Sequence, residues 1–388
     1  MVVSAKSLNE FTLGLFILLT TLYYFFRFQW GWDTWVVAFQ VGLLCLFSLG
    51  GFLVWLISPS RLTKGYNIYS VGLAYLIFLL FLTALHGGVN GVAYGLKDHI
   101  LPFMLLFYYS LVIKEIKLEK IFVMIGFCAA IVSVIYLAEF VNKWHFGNGF
   151  FAYTEGIKAL TERVQGEEST SLSWVGDLLR MPGPLSHHNS TGLFMGVGVL
   201  SAMALFSSRH RKVGYIIFGV CLVGLLISGA RTAWAATLAG IMFAKKDNIR
   251  NIIIYFAIAG VFFMVMAKFI PGVSELVKAE RLVAPGRIIL QKTERLYEPH
   301  YLKNIFMGNG FNYPGMDLDS PYSPLLSDDL FFIQLVTTYG LLPAFVFFWC
   351  VFSRKYRVPE EGDLGVYSLA IIILFLVSGM HTNAMKAL

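Results

Sequence analysis

The chain has 388 residues, of which 57% are hydrophobic and only 14% are charged, and its mean hydropathy is +0.69. A soluble domain carries nearer a quarter of charged residues, so this composition excludes an ordinary soluble globule and indicates an integral membrane protein. The formal net charge of +7 is explained by lysines and arginines that hold cytoplasmic loops in place. Some of the surplus positive charge can meet an anionic substrate. We therefore expect no nucleic-acid partner.

Apolar runs separated by polar loops predict an all-α, polytopic fold with about eleven transmembrane helices in a single membrane domain covering residues 1–388. The predicted spans are residues 11–27, 35–57, 68–85, 99–113, 120–141, 190–206, 213–228, 232–244, 251–269, 329–352 and 366–383. No small-residue cleavage site follows the first run, so we expect it to be retained as a span.

Basic residues gather in alternate short loops, and by the positive-inside rule those loops are cytoplasmic. They are Lys6, Arg61, Lys64, Lys114, Lys117, Lys120, Arg209, Arg211, Lys212, Lys245, Lys246, Arg250, Arg354, Lys355 and Arg357. This assignment puts the N-terminus inside and two long loops, 142–189 and 270–327, outside, which in a bacterium is the periplasm. Loop 270–327 is too long for a plain connection, and we interpret it as a functional segment that covers an active site.

The turn at residues 228–232 is the first candidate for chemistry. Its two flanking runs reach only ~24 and ~20 Å as helices, against ~30 Å of hydrocarbon, so Arg231 is expected to lie below the outer surface. A recessed arginine needs protein partners, water or an anion. The alternative is an interfacial arginine that snorkels to lipid headgroups. The small residues Ser228, Gly229 and Ala230 favour function, because they let a ligand or another backbone approach closely.

Arg287 is the second candidate, because it follows the structure-breaking pair Pro285-Gly286 and begins a stretch with helical spacing. The amides at a helix start favour an anion, and guanidinium groups bind phosphate oxygens in pairs. Arg281 and Arg295, in the same long loop, are further candidates for substrate binding. The alternative is a solvated face of a helix lying along the membrane surface.

Two carboxylates, Asp328 and Asp329, stand where the long loop re-enters the membrane. One can serve as the base that takes a proton from a sugar hydroxyl, with Asp329 favoured. The alternative is an ordinary N-cap and first-turn pair stabilised by the helix dipole.

Arg180, His187, His188 and Asn189 precede the sixth predicted span and can hydrogen-bond a polar ligand. We expect no metal, because adjacent histidines on a helix point in different directions and no third ligand is evident. The cysteines Cys45, Cys128, Cys221 and Cys350 all lie inside apolar runs, which suggests neither a disulfide nor a metal site. No cofactor is expected.

In their order along the chain these motifs resemble the O-antigen ligase and O-antigen polymerase superfamily of bacterial envelope glycosyltransferases. The likeness covers roughly residues 180–350. It consists of a His-Asn element before a span (residues 183–189), a Ser-Arg-Thr type turn (228–232), a Gly-Arg helix leading to Gly-x-Gly (286–310), and a polar pair that opens a span ending in Gly-Leu (328–342).

The resemblance implies a GT-C-like, metal-independent, inverting glycosyltransferase of the bacterial inner membrane with its site on the periplasmic face. The donor is then a glycan on undecaprenyl diphosphate, with Arg231 and Arg287 in the positions that hold the diphosphate. Ligases of the family usually carry His-Asn where this chain has Asp328-Asp329, a departure that favours the polymerase. The implied partners are lipid-linked glycans, membrane lipids, a chain-length-regulating co-polymerase and a flippase.

Three other functions stay open at this point. A ligase would move the glycan to lipid A-core. A secondary transporter or lipid flippase would place charges near the bilayer midplane in repeated halves, and the sequence shows no repeat. A non-catalytic scaffold would tolerate loss of both arginines.

Overall fold

The computed structural model describes residues 5–32, 66–96, 117–165, 173–175, 178–185, 187–245, 339–343 and 362–379, with the shorter pieces 38–39, 41–43, 45–46, 49–50, 100, 103–104, 306 and 345. Its helices are α1 (Ala5–Thr21), α2 (Tyr23–Gln29), α3 (Tyr66–Gly95), α4 (Leu118–Trp144), α5 (Ala152–Gln165), α6 (His188–Ala204), α7 (Arg211–Ile227), α8 (Arg231–Ala244) and α9 (Gly362–Gly379). One antiparallel hairpin joins β1 (Ser173–Val175) to β2 (Leu178–Arg180). The described residues are therefore almost entirely helical, as the composition predicts.

Helix α5 and the hairpin fall inside the predicted outer loop 142–189, which the sequence analysis left without structure of its own. The sequence of α5 alternates small, apolar and charged residues, so Tyr153 and Ile157 lie on its buried face while Glu155 is exposed. Part of the loop is therefore folded, with α5 packed against α2, and the purely α-helical prediction is corrected by one short hairpin.

The predicted spans that fall on described residues coincide with helices. By length and apolarity, Leu118–Lys143 can cross a membrane unbroken, and Glu10–Thr21 together with Tyr23–Gln29 would form a second crossing if that bent pair is one span. Predicted spans 35–57, 99–113, 251–269 and 329–352 lie wholly or mostly outside the described residues. The helical character of the described runs is confirmed, whereas the number of eleven spans stays a prediction.

The first predicted span is bent by 61° at Leu22 and is not one straight helix. The Thr21 hydroxyl donates to the carbonyl oxygens of Ile17, at 2.9 Å, and Leu18, at 3.1 Å. Bonds of this kind from a threonine to the preceding turn compete with the backbone ladder and bend helices. The sequence analysis missed this bend because it counted apolar residues only.

The described residues fall into two compact units. The first contains α1, α2, α4 to α9 and the hairpin, and its centre is α6, which packs against α4, α7, α8 and α9. Nearly every side chain of α6 is buried, as expected for a helix surrounded on all sides. Its glycines allow the close approach: a Cβ at Gly198 would lie 2.5 Å from Ala129 Cβ and 2.7 Å from Cys221 Sγ. Small residues that bring helix backbones together in this way are typical of membrane helix packing.

Helices α4 and α6 run antiparallel, which gives the first unit two distinct ends. At one end Phe122, Ala204, Leu205 and Tyr367 form a small apolar cluster. Several basic residues surround this cluster, and we call it the basic end: Lys120, Arg209, Arg211, Lys212 and Lys245. The opposite end, called the Arg231 end, contains the C-termini of α4 and α7 and the N-termini of α6 and α8. These five basic residues therefore lie at one end of the bundle, and the assignment of that end to the cytoplasm stays a prediction.

The second unit contains α3 and residues 339–343. Leu76, Leu79 and Ile100 form its described core, against which Phe103 and Tyr339 pack. This unit carries the Gly-Leu motif at residues 340–341, and Gly340 has a φ of +86°.

Candidate active site

A tight turn joins α7 to α8 at the position that the sequence predicts. The Ser228 hydroxyl donates to the Leu225 carbonyl oxygen at 2.7 Å and accepts from the Ala230 amide at 3.3 Å. Gly229 has a φ of +64°, a left-handed conformation that favours glycine. Trp234 also donates its indole N–H to the Leu225 carbonyl oxygen, at 2.7 Å. The turn is thus fixed from both sides, and it sets Arg231 as the first residue of α8.

A second tight turn leads into α6. Gly183 has a φ of +70°, and a Cβ there would lie 2.6 Å from both Cγ2 and Oγ1 of Thr191. Thr191 donates its hydroxyl to the Pro182 carbonyl oxygen at 2.7 Å. These contacts fold residues 181–185 back over the first turn of α6, where Met181 and Thr191 are buried.

His187 is the N-cap of α6. Its Nδ1 accepts a hydrogen bond from the Asn189 amide at 3.2 Å, and its carbonyl oxygen accepts one from the Thr191 amide at 2.9 Å. A ring nitrogen that accepts carries no proton, so the neutral imidazole has its N–H at Nε2. His187 is exposed and His188 is buried, at 6% of its full accessibility.

The two histidine rings lie side by side, with their centroids 4.3 Å apart and their planes inclined by 33°. The sequence analysis expected them to point in different directions because it placed both on the helix. His187 precedes the helix in an extended conformation, and that expectation is wrong for this reason. Within the described part of the chain, no three His, Cys, Asp or Glu residues are grouped as metal ligands would be.

The two turns meet, although about forty residues separate them in the sequence. A Cβ at Gly192, one turn into α6, would lie 2.7 Å from Ala230 Cβ and 2.9 Å from Ser228 Oγ. The N-terminus of α8 therefore abuts the first turns of α6. Arg231 is half-buried at this junction, and the histidine motif and the arginine turn share one end of the bundle.

The remaining candidates are not brought into this site by described residues. The backbone of Arg180 pairs with Ser173 in the hairpin, but its side chain is outside what the structure describes. Arg281, Arg287, Arg295, Asp328 and Asp329 lie outside the described residues. The pairing of Arg231 with Arg287, and the position of the carboxylate base, stay predictions.

A buried carboxylate that the sequence analysis missed lies at the same end. Glu139, near the end of α4, is fully buried; it accepts a hydrogen bond from the Phe151 amide at 3.1 Å and another from the Tyr153 hydroxyl. The Tyr153 amide in turn donates to Gln29 Oε1 at 3.3 Å. Glu139 thus ties the start of α5 to α4, with α2 alongside. A glutamate inside the apolar run 120–141 was the available signal, since an acid in a predicted span marks a functional or structural polar site.

Burial raises the pKa of Tyr153 well above its usual range, and the charge of Glu139 and the hydrogen bond to it raise it further. The phenol therefore stays protonated and donates to the carboxylate. Phe25 and Phe151 pack around its ring at centroid distances of 5.5 and 6.3 Å. This contact fixes the segment that leads from α4 toward the hairpin and the histidine turn.

No family model, curated protein or solved structure matches this chain. A function for this chain has to be inferred from the sequence motifs and from the contacts between them.

Proposed function

We propose that this chain is a membrane glycosyltransferase that joins lipid-diphosphate-linked oligosaccharide units into a surface polysaccharide, as O-antigen polymerases do. The observation that carries the proposal is the contact between the first turns of α6 and the 228–231 turn. It joins, at one end of the bundle, two of the four motifs on which the family resemblance rests.

The chemistry of this end suits a diphosphate. The N-terminus of α8 lies at this end, and helix N-termini favour anions. Arg231 adds a guanidinium that can bind phosphate oxygens in pairs. Fixed donors of this kind stabilise the negative charge that develops on a departing diphosphate.

The polarity of the bundle supports an outward-facing site. The basic end has the lysines and arginines that cytoplasmic loops carry, and the Arg231 end lies opposite to it. Trp30 and Trp32, about half exposed at the end of α2, are residues of the kind that concentrate at a membrane interface. The N-terminus is then cytoplasmic, and the site faces the periplasm of a bacterial inner membrane.

In the proposed reaction a sugar hydroxyl of the acceptor attacks the anomeric carbon of the donor glycan. Asp329 takes the hydroxyl proton, the bond from the anomeric carbon to the diphosphate oxygen breaks, and the configuration at that carbon inverts. Arg231 and Arg287 hold the leaving diphosphate.

The test is polymer formation by purified protein in liposomes supplied with undecaprenyl-diphosphate-linked repeat units. We expect Arg231→Ala to lower the rate about 100-fold, as loss of one fixed transition-state donor does, and Arg231→Lys to recover part of it. Arg209→Ala is the matched control, because that arginine lies at the basic end with 65% of its side chain exposed. Near-normal polymer formation by Arg231→Ala would overturn the proposal.

The same assay separates polymerase from ligase when lipid A-core is supplied as the acceptor. Transfer to lipid A-core without polymer formation would assign the ligase reaction and leave the site intact. Polymer formation that ignores lipid A-core is the expected result.

A further inference from the structure

Helix α7 has one buried face and one open face. The buried face includes Ile217, Cys221 and Leu225 and packs against α4 and α6. On the open face the Ile216 side chain is 68% exposed and that of Val223 is 47% exposed. An apolar stripe of α7 is therefore left uncovered by the described helices.

A basic residue continues this stripe at the basic end. At about 100° per residue, Lys212, Ile216 and Val223 fall within about 40° of one another around the helix axis. We call these three residues the α7 stripe. Arg211 precedes Lys212, and both side chains are exposed at the start of the helix. The stripe thus runs from two neighbouring cations into hydrocarbon side chains.

The charge of these two cations is not offset by the described residues. The first turn of α7 contains no acidic residue. The described glutamates at this end, Glu10 and Glu119, already lie beside other basic side chains. Among the described residues, no ion pair includes Arg211 or Lys212. An excess of positive charge therefore faces the surroundings at the head of the stripe.

The stripe has the depth of one lipid leaflet. The chain rises ~16 Å from Lys212 to Val223 at 1.5 Å per residue, and one leaflet supplies half of a hydrocarbon core of ~30 Å. Residues 224–230, beyond the stripe, are buried or half-buried. The open face of α7 therefore begins at the cations and stops at about the depth where a lipid tail ends.

An anionic phospholipid is complementary to this combination of charge and apolar surface. Guanidinium groups bind phosphate oxygens in pairs, and an ammonium group binds them as a point charge. Basic residues next to the cytoplasmic face of a membrane attract anionic lipids. A second copy of the chain fits less well, because a two-fold contact through this face would bring the cations of both copies together.

We propose that Arg211 and the α7 stripe form a binding site for one anionic phospholipid of the leaflet at the basic end. Arg211 and Lys212 bind the phosphate of the headgroup, and an acyl chain lies along Ile216 and Val223. Neither contact requires a fixed side-chain geometry. The site rests on the membrane location of the chain and takes no part in the sugar transfer proposed above.

Native mass spectrometry of the full chain, purified in a neutral detergent, tests the site by titration with phosphatidylglycerol and with phosphatidylcholine. We expect wild type to bind one phosphatidylglycerol at least about tenfold more tightly than phosphatidylcholine, because each basic residue near a membrane surface contributes about a fivefold preference. The double variant Arg211→Gln with Lys212→Gln should lose this preference. Equal affinity of wild type for the two lipids would overturn the proposal.

The matched control is Lys143→Gln combined with Lys158→Gln, which removes the same charge from α4 and α5. This variant should keep the preference of wild type for phosphatidylglycerol. An equal loss of preference in both double variants would mean that binding follows net charge alone, and the site would have to be abandoned.

A third substitution tests the contact with the acyl chain. Ile216→Ser should weaken phosphatidylglycerol binding about threefold or more, since it removes apolar surface from the contact. Val134→Ser is the control, because Val134 is an exposed apolar residue of α4, at 54%. Equal affinities of the two serine variants would contradict a lipid lying along α7.

Two further results of the titration would assign the face to something else. Displacement of the lipid by inorganic phosphate at an equal concentration would indicate a simple anion site. Dimers of wild type that bind no lipid, and that Ile216→Ser dissociates, would assign the face to a second copy. If wild type forms no polymer in liposomes, the proposed function fails, while these binding measurements still decide the lipid site.

Discussion

The two ends of the first unit differ in how deeply their polar side chains are buried. At the basic end the Arg209 side chain is 65% exposed, and its Nε lies 3.9 Å from Glu119 Oε1, while the partly exposed Lys120 pairs with Glu10 at 2.5 Å. At the Arg231 end Thr191, Ser228 and Glu139 are fully buried, and each has a hydrogen-bond partner.

This difference bears on which end of the unit can hold a ligand in a fixed geometry. Exposed ion pairs contribute at most about 1 kcal/mol each, so the pair of Arg209 with Glu119 adds little to the stability of the basic end. Buried polar groups are retained only where the fold supplies their partners. The Arg231 end therefore has a defined geometry, as a binding site needs.

Among the substitutions that test this difference between the two ends, the largest loss of stability and activity is expected at the contact between the two turns. Gly192→Val places a Cβ 2.7 Å from Ala230 Cβ and 2.9 Å from Ser228 Oγ, and because both atoms are held close to the backbone, α8 must shift. We expect a loss of about 1–3 kcal/mol of stability and loss of polymer formation, measured by thermal unfolding in detergent and by the liposome assay.

Gly219→Val is the matched control for this substitution. A Cβ at Gly219, on the exposed face of α7, meets no atom within 4 Å. Equal stability and activity of the two variants would mean that the two turns do not abut.

A smaller loss of stability is expected from substitutions at the buried carboxylate, Glu139. Tyr153→Phe removes a donor to Glu139 and should cost roughly 0.5–1.5 kcal/mol, the usual net contribution of an intramolecular hydrogen bond. Glu139→Gln keeps an acceptor oxygen and should cost less. Thermal unfolding at neutral pH checks both, with Tyr215→Phe as a control on an exposed tyrosine. If Tyr153→Phe matched that control, Glu139 would not hold α5 through this bond.

The pH dependence of the Tm of Tyr153→Phe is a second test of the bond between Tyr153 and Glu139. Because the folded-state pKa of Tyr153 is raised, its contribution to stability is fully present below the unfolded pKa of about 10 and is lost as pH rises through the higher folded value. Tyr153→Phe lacks this titration. The Tm difference between wild type and variant should therefore narrow above about pH 10, and a constant difference would contradict the assignment.

Local features of this site could be predicted from the sequence. Residues 228–232 combine small residues with an arginine between two apolar runs, and this pattern predicted the turn before Arg231. The polar run before residue 190 likewise predicted the start of α6. Both depend on neighbours in the chain, which the sequence displays directly.

Features that depend on distant partners were missed. The contact of Gly192 with the 228–230 turn, the bond from Tyr153 to Glu139 and the bond from the Tyr75 hydroxyl to the Tyr339 carbonyl oxygen all join residues that a single sequence does not connect. The bend at Leu22 was missed for a different reason, because the Thr21 hydroxyl acts on the preceding turn and leaves the apolar pattern unchanged.

The most direct test of the central claim is binding of undecaprenyl diphosphate to the purified protein. Arg231→Ala should weaken the measured Kd at least about tenfold, since a bidentate guanidinium contact to phosphate is worth more than 1.4 kcal/mol, while Arg209→Ala at the opposite end should leave it unchanged. If Arg231→Ala binds as tightly as wild type, or if both substitutions weaken binding equally, the Arg231 end is not the diphosphate site.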